Sequence, residues 1–119
     1  MKKLTHQEEA AMLIVWRIGE GTIREYHEHT PEPRIPYTSF ASVITNLERK
    51  GYVKHRRVGI TKLCRPIISE EEYKRVFVSG FIDNYFSNSY KEMVSFFAKE
   101  EKISAEELKE IIDLIEKRR

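Results

Sequence analysis

Apolar residues at 40, 43, 44 and 47 follow the i, i+3, i+4, i+7 spacing of a helix with one face toward a core. The stretch that holds them, PYTSFASVITNLERKGYV, is ordinary on that side and unusual on the other. Its outer face carries Thr38, Ser39, Ser42 and Thr45, and charge returns only at Glu48, Arg49 and Lys50. In an exposed helix interior, Ser and Thr cost up to roughly 0.5 kcal/mol each relative to Glu, Lys or Arg. A small, hydroxyl-rich face therefore calls for a reason.

The other elements are bounded by capping patterns. Ser or Thr followed three residues later by Glu satisfies two orphaned donors at a helix start. The pattern occurs at Thr5/Glu8, Thr22/Glu25, Ser69/Glu72 and Ser104/Glu107, each time just before an amphipathic run. It predicts a first helix from His6 to Ile18, stopped by Gly19, and a short second helix from Ile23. The prolines of HTPEPRIP end the second, and Gly51 ends the third. Further helices are predicted from Glu70 toward Tyr85, around Tyr90 to Lys99, and from Ala105. Between the third and fourth, Tyr52-Val53 and Leu63-Cys64 flank Val58-Gly59, which reads as a β-hairpin closed by Pro66.

Charge sharpens this outline. The net charge is +2, yet residues 1–69 carry a balance of +5 and residues 70–119 one of −3. Seven basic residues (Arg49, Lys50, Lys54, Arg56, Arg57, Lys62, Arg65) fall between positions 49 and 65 with no acidic one. A polyanionic partner for the first part accounts for that clustering. The length of 119 residues suits one domain with an appendage, which places a DNA-binding domain at 1–69 and a helical domain at 70–119. The 40% apolar content is enough for a core, and no run approaches the roughly 18 apolar residues of a membrane span. The first residues lack a cleavage site of the signal-peptide kind, and one cysteine cannot form an internal disulfide; a cytoplasmic location is expected.

Helix, helix, helix and basic hairpin is the order of a winged helix-turn-helix, so the expected fold is mainly α with a small β-hairpin wing and C-terminal helices. In that geometry the third helix enters the DNA major groove and the wing lies on the flanking backbone. The groove is about 12 Å wide, and a slim hydroxyl face brings the backbone close to base edges where long side chains would hold it off. Thr38, Ser42, Thr45 and Arg49 share one face at i, i+4, i+7, i+11. The competing explanation is a helix packed closely on another part of the protein. Tyr37 can either stack on a sugar or cap the helix.

The C-terminal third reads as a dimerisation region. Leu108, Ile111, Ile112 and Ile115 form an apolar stripe with charged residues outside it, and the upstream helices hold Phe81, Tyr85 and Phe86 among ten large apolar residues. A symmetric partner would bury that surface; folding back onto the chain's own core is the alternative. Gly80 suits either a close helix crossing or a tolerated break.

The pieces LTHQEEAAMLIVW, PYTSFASVITNLERKGYV, RPIISEEEY and MVSFFAKEEKISAEELKEIIDLI together resemble the penicillinase repressor family of bacterial transcriptional regulators, over nearly the whole chain. Glu8, Met12 and Trp16 are in register with that family's first helix. The resemblance implies a homodimeric repressor on a palindromic operator of a β-lactam resistance operon. A membrane sensor system would trigger proteolysis in its C-terminal region. Carried over residue by residue, DNA contacts fall on Tyr37, Thr38, Ser39, Ser42, Thr45 and Arg49, with wing contacts from Arg56 and Arg57. The family's Asn-Phe cleavage junction aligns with Phe96-Phe97, where Phe96 replaces the Asn. Asn46 stands where many members have Arg, and Cys64 where a Tyr is common.

No catalytic arrangement stands at a meaningful spacing, so no enzyme activity and no cofactor are expected. His27 and His29 are two apart and share no helix face, and the tail lacks the cysteine-rich motif of copper-sensing relatives; no metal site is expected. Cys64 reads as a small packing residue. The rival function is a winged-helix protein-interaction module with weak, non-specific DNA affinity.

Overall fold

The structure is a computed structural model and describes residues 1–118. Its elements are α1 (His6–Ile18), α2 (Ile23–Glu28), α3 (Tyr37–Arg49), β1 (Val53–Val58), β2 (Thr61–Pro66), α4 (Glu70–Phe86), α5 (Tyr90–Lys99) and α6 (Ala105–Lys117). This is the winged helix-turn-helix order that the sequence pattern predicts. Capping boxes are complete at Thr5/Glu8, Thr22/Glu25 and Ser104/Glu107. At Ser69 the hydroxyl accepts from the Glu72 N–H at 3.1 Å. Gly19, at φ 82°, returns its N–H to the Val15 carbonyl and so ends α1 where a residue with a Cβ would be strained.

The chain divides into two compact units, Met1–Lys74 and a second that begins at Arg75. In the first, α1, α2, α3 and the base of the hairpin enclose a core of fully buried side chains that includes Met12, Val15, Tyr26, Phe40, Ile44, Leu47, Tyr52 and Val53. The α3 face at 40, 43, 44 and 47 is buried as its spacing requires. Three polar ties fix the elements to one another. Glu8, 4% exposed, accepts from Lys50 Nζ at 2.6 Å and from its own cap at Thr5 N–H at 2.8 Å, joining the start of α1 to the end of α3. Burial works to raise the Glu8 carboxyl, but the hydrogen bonds from Lys50 and Thr5 outweigh it and hold the group below its usual range. Trp16 Nε1–H donates to the Ile68 carbonyl at 2.8 Å, and Tyr73 on the first turn of α4 donates to Glu9 at 2.6 Å. That first turn therefore belongs to the core of the first unit.

β1 and β2 pair antiparallel, with Val53 opposite Pro66, His55 opposite Cys64 and Arg57 opposite Lys62. Gly59 at φ 64° supplies the left-handed first position of the two-residue loop, as a type II′ hairpin turn needs. A third, one-residue strand adds to the ladder: Gly21 and Cys64 exchange both backbone hydrogen bonds, at 2.9 and 2.8 Å. A Cβ at Gly21 would stand 3.3 Å from the Tyr26 ring, so any larger residue would press on the core at this turn.

In the second unit Ile82 alone is buried among the described residues. The rings of Phe81, Tyr85, Phe86, Phe96 and Phe97 form a chain of contacts with centroids 5.0–5.9 Å apart. Much of this surface still faces outward: Tyr85 is 73% exposed, and Phe81, Phe96, Ile111, Ile112 and Ile115 are exposed as well, with Phe86 and Leu108 half-buried. A Cβ at Gly80 would meet nothing within 4 Å outside its own helix among the described residues. No helix among the described residues is long and apolar enough to cross a membrane.

Candidate nucleic-acid interface

α3 starts after Pro36, which locks φ and offers no side-chain cap. Tyr37 does not cap the helix either. Its ring lies edge-on to His27 with centroids 5.6 Å apart, and His27 also touches Phe40 at 5.5 Å. His27 Nε2–H donates to the Ile35 carbonyl at 2.7 Å, which fixes the ring and the short connection that sets the angle of α3. Neither His27 nor His29 belongs to a group that could hold a metal ion, and the described residues contain no such group.

Thr38, Ser39, Ser42, Thr45 and Arg49 are all exposed. The Ser42 hydroxyl donates to the Thr38 carbonyl at 3.1 Å and the Thr45 hydroxyl to the Ala41 carbonyl at 3.0 Å. Arg49 Nη1 donates to Asn46 Oδ1 at 2.8 Å, so the guanidinium is held along the helix near its end. This makes a continuous slim face of about three turns, polar and free of acidic side chains until Glu48.

The hairpin separates two arginines that the sequence leaves adjacent. Directly opposed residues share a face and successive residues alternate. Arg57 therefore lies with Lys62, His55, Cys64 and Val53, whose inner members reach the core. His55 Nδ1 sits 2.7 and 2.9 Å from the two Glu48 carboxylate oxygens, which shows that this face looks toward α3. Arg56 lies on the opposite face. There it makes a two-pronged ion pair with Glu20, Nη2 to Oε1 at 3.0 Å and Nε to Oε2 at 3.2 Å. Of the seven basic residues between 49 and 65, Lys50 and Arg56 are thus paired with carboxylates of the chain itself, Lys50 with a buried one and Arg56 with an exposed one. Lys62, set directly across from Arg57, joins the face on the α3 side. Sequence alone counted Lys62 in the basic cluster without singling it out as a contact; the two-residue turn, which fixes the register, is the signal that would have done so.

Cys64 is fully buried at the foot of the wing. Burial pushes its thiol up, with Glu48 acting the same way and Lys62 opposing. Tyr26 O–H, also buried, reaches the carbonyls of Gly19 and Cys64 at 2.6 and 3.0 Å and ties the turn before α2 to the wing.

The family model of the penicillinase repressor matches residues 4–117. The chain belongs to the penicillinase repressor family. It is also similar to the penicillinase repressor of Bacillus licheniformis, 23% identical over 121 aligned residues that cover 98% of this chain and 94% of the relative. A penicillinase repressor family member is a DNA-binding regulator of transcription, and the slim α3 face beside the basic wing is the surface suited to that role. Phe96 and Phe97, where the resemblance leads one to expect a cleavage junction, lie inside α5, and their carbonyls accept from the backbone N–H groups of Glu100 and Lys102 at 3.0 and 2.9 Å.

Proposed function

We propose that the protein is a homodimeric repressor on a palindromic operator, with residues 1–69 as the DNA-binding domain and 70–119 as the dimerisation domain. Each α3 lies in a major groove and presents Thr38, Ser39, Ser42 and Thr45 to base edges. Tyr37, Arg49, Arg57 and Lys62 contact the flanking backbone. Phosphate contacts supply most of the affinity, and the hydroxyl face most of the selectivity. The observation that carries this reading is the unbroken exposed hydroxyl face of α3 beside the basic, α3-facing side of the wing.

Dimerisation runs through Phe81, Tyr85, Phe86, Leu108, Ile111, Ile112 and Ile115. Its support is the amount of apolar surface in the second unit left exposed by the chain itself. Two α3 helices then read half-sites about one helical turn of DNA apart, or a multiple of it. The repressor acts in the cytoplasm and carries no catalytic site. Regulation by a protease or membrane sensor would act on α5, and cleavage at Phe96-Phe97 requires that helix to unwind first.

Footprinting on the DNA upstream of the protein's own gene tests the reading, alongside titrations against scrambled DNA at two salt concentrations. A protected two-fold symmetric site preferred by roughly a thousandfold is the expected result. Weak binding that ignores sequence and vanishes with salt would replace the repressor with a protein-interaction module.

A further inference from the structure

Glu20 occupies the last position before the one-residue strand at Gly21, and the two backbone bonds between Gly21 and Cys64 hold it against the wing. With Gly21 facing the core side of the ladder, Glu20 lies on the opposite face, where it reaches Arg56 across β2. Its carboxylate covers Nε and one Nη of the guanidinium, the fork with which arginine grips a phosphate. Arg65 shares this face, two residues along β2 from the partner of Arg56, and adds to the field on Glu20. Glu20 thus occupies the fork of Arg56 that would otherwise be open to an anion from outside the chain.

We propose that Glu20 is an internal competitor for DNA phosphate, a residue that restrains sequence-independent binding and so sharpens operator selectivity. The inference rests on the DNA-binding reading above and deepens it. A guanidinium already paired with a carboxylate releases no condensed counterion when DNA arrives, so Arg56 contributes little to the salt-dependent attraction that any duplex exerts. The α3-side pair, Arg57 and Lys62, has no such carboxylate opposite it in the ladder. Loss of Glu20 turns Arg56 into one more phosphate contact. At about −0.9 log units per phosphate, a contact worth nothing at 1 M salt is worth about fivefold at ~0.15 M. The gain falls on every sequence, and it raises random-DNA binding without adding base discrimination.

Fluorescence-anisotropy titrations of the full chain on a random duplex across a salt series, with Glu20→Gln, Arg56→Gln and the double variant, decide the matter. Both side chains are exposed, and matching circular-dichroism melts confirm that each variant is folded. The expected result for Glu20→Gln is a log–log slope steeper by about one unit and an affinity about fivefold higher near 0.15 M. In the Arg56→Gln background the same change at Glu20 should have no such effect. An unchanged slope, or an equal gain with and without Arg56, overturns the proposal. Weaker binding also overturns it, since Glu20 would then be a brace that presents Arg56 to phosphate. Absence of operator preference in the parent protein would count against the repressor reading, whereas this comparison needs random DNA only.

Discussion

Truncation of Glu8 to alanine tests how α3 is held in place. The change removes the acceptor for Lys50 Nζ and for the Thr5 N–H together, and leaves the Glu8 N–H bonded to the Thr5 hydroxyl at 3.1 Å. Removing one partner of a fully buried ion pair costs about 3–5 kcal/mol. Here the Lys50 side chain is 26% accessible and keeps the Lys3 carbonyl at 2.9 Å, so water replaces part of the loss. Half of the midpoint of that range, about 2 kcal/mol, plus about 0.5 kcal/mol for half a capping box, gives about 2.5 kcal/mol for Glu8→Ala. Glu8→Gln retains an acceptor and forfeits only the charge, which is worth about 1 kcal/mol.

Trp16 is the sole tryptophan and sits half-buried in the same unit, so its fluorescence during urea unfolding reports on this region. Protein concentration is held constant because the proposed dimerisation would contribute to apparent stability. The folded-state carboxyl of Glu8 lies below its ordinary value of 4.5. Its contribution is therefore fully present above pH 4.5 and is lost as the pH falls through the depressed folded value. The gap between the parent and Glu8→Gln should hold steady from neutral pH to above 4.5 and close below it. A cost under about 0.5 kcal/mol for Glu8→Ala, or a gap indifferent to acid, would refute the reasoning.

Arg57→Ala and Lys62→Ala should each flatten the salt dependence of DNA binding by about one log–log unit, and Arg56→Ala by much less; equal slopes for all three would contradict the two-faced wing. Thr38→Ala or Ser42→Ala should relax selectivity at a single base position by about 1 kcal/mol, read from titrations on operator variants, and equal losses on random DNA would remove that residue from base reading. Ile112→Asp should convert the proposed dimer to monomer in sedimentation velocity and weaken operator binding, and a dimeric mass that does not change would move the interface elsewhere. Cys64 should resist a thiol-specific disulfide reagent in the folded protein and react at the rate of unfolding. Rapid labelling without urea would show the foot of the wing to be open.

Local signals wrote most of the fold. Thr5, Thr22 and Ser104 set helix starts through contacts three residues long, and the spacing of Phe40, Val43, Ile44 and Leu47 set the buried face of α3. What could not be read depends on partners far along the chain. Glu20 and Arg56 are 36 positions apart, and Lys50 and Glu8 are 42 apart. Only the assembled core brings them together. The adjacent arginines 56 and 57 look equivalent in a basic run, and strand alternation alone sends them to opposite faces. Glu8 showed as a cap, and its second role as the counter-charge of Lys50 had no local mark. The ring of His27 beneath Tyr37 was similarly invisible, because a helix of six residues carries too little pattern to tell which way its side chains turn.

The back-bonded hydroxyls of α3 determine what a base would meet. Because Ser42 and Thr45 commit their protons to carbonyls one turn earlier, each turns only lone pairs outward. In the major groove the groups that can satisfy a bare acceptor are the exocyclic amines of adenine and cytosine. Guanine O6 and thymine O4 would face a repelling oxygen unless the hydroxyl first abandoned its carbonyl. In the proposed complex Ser42 and Thr45 would therefore accept rather than donate, and selectivity opposite these two residues would follow from hydrogen bonds within the helix itself.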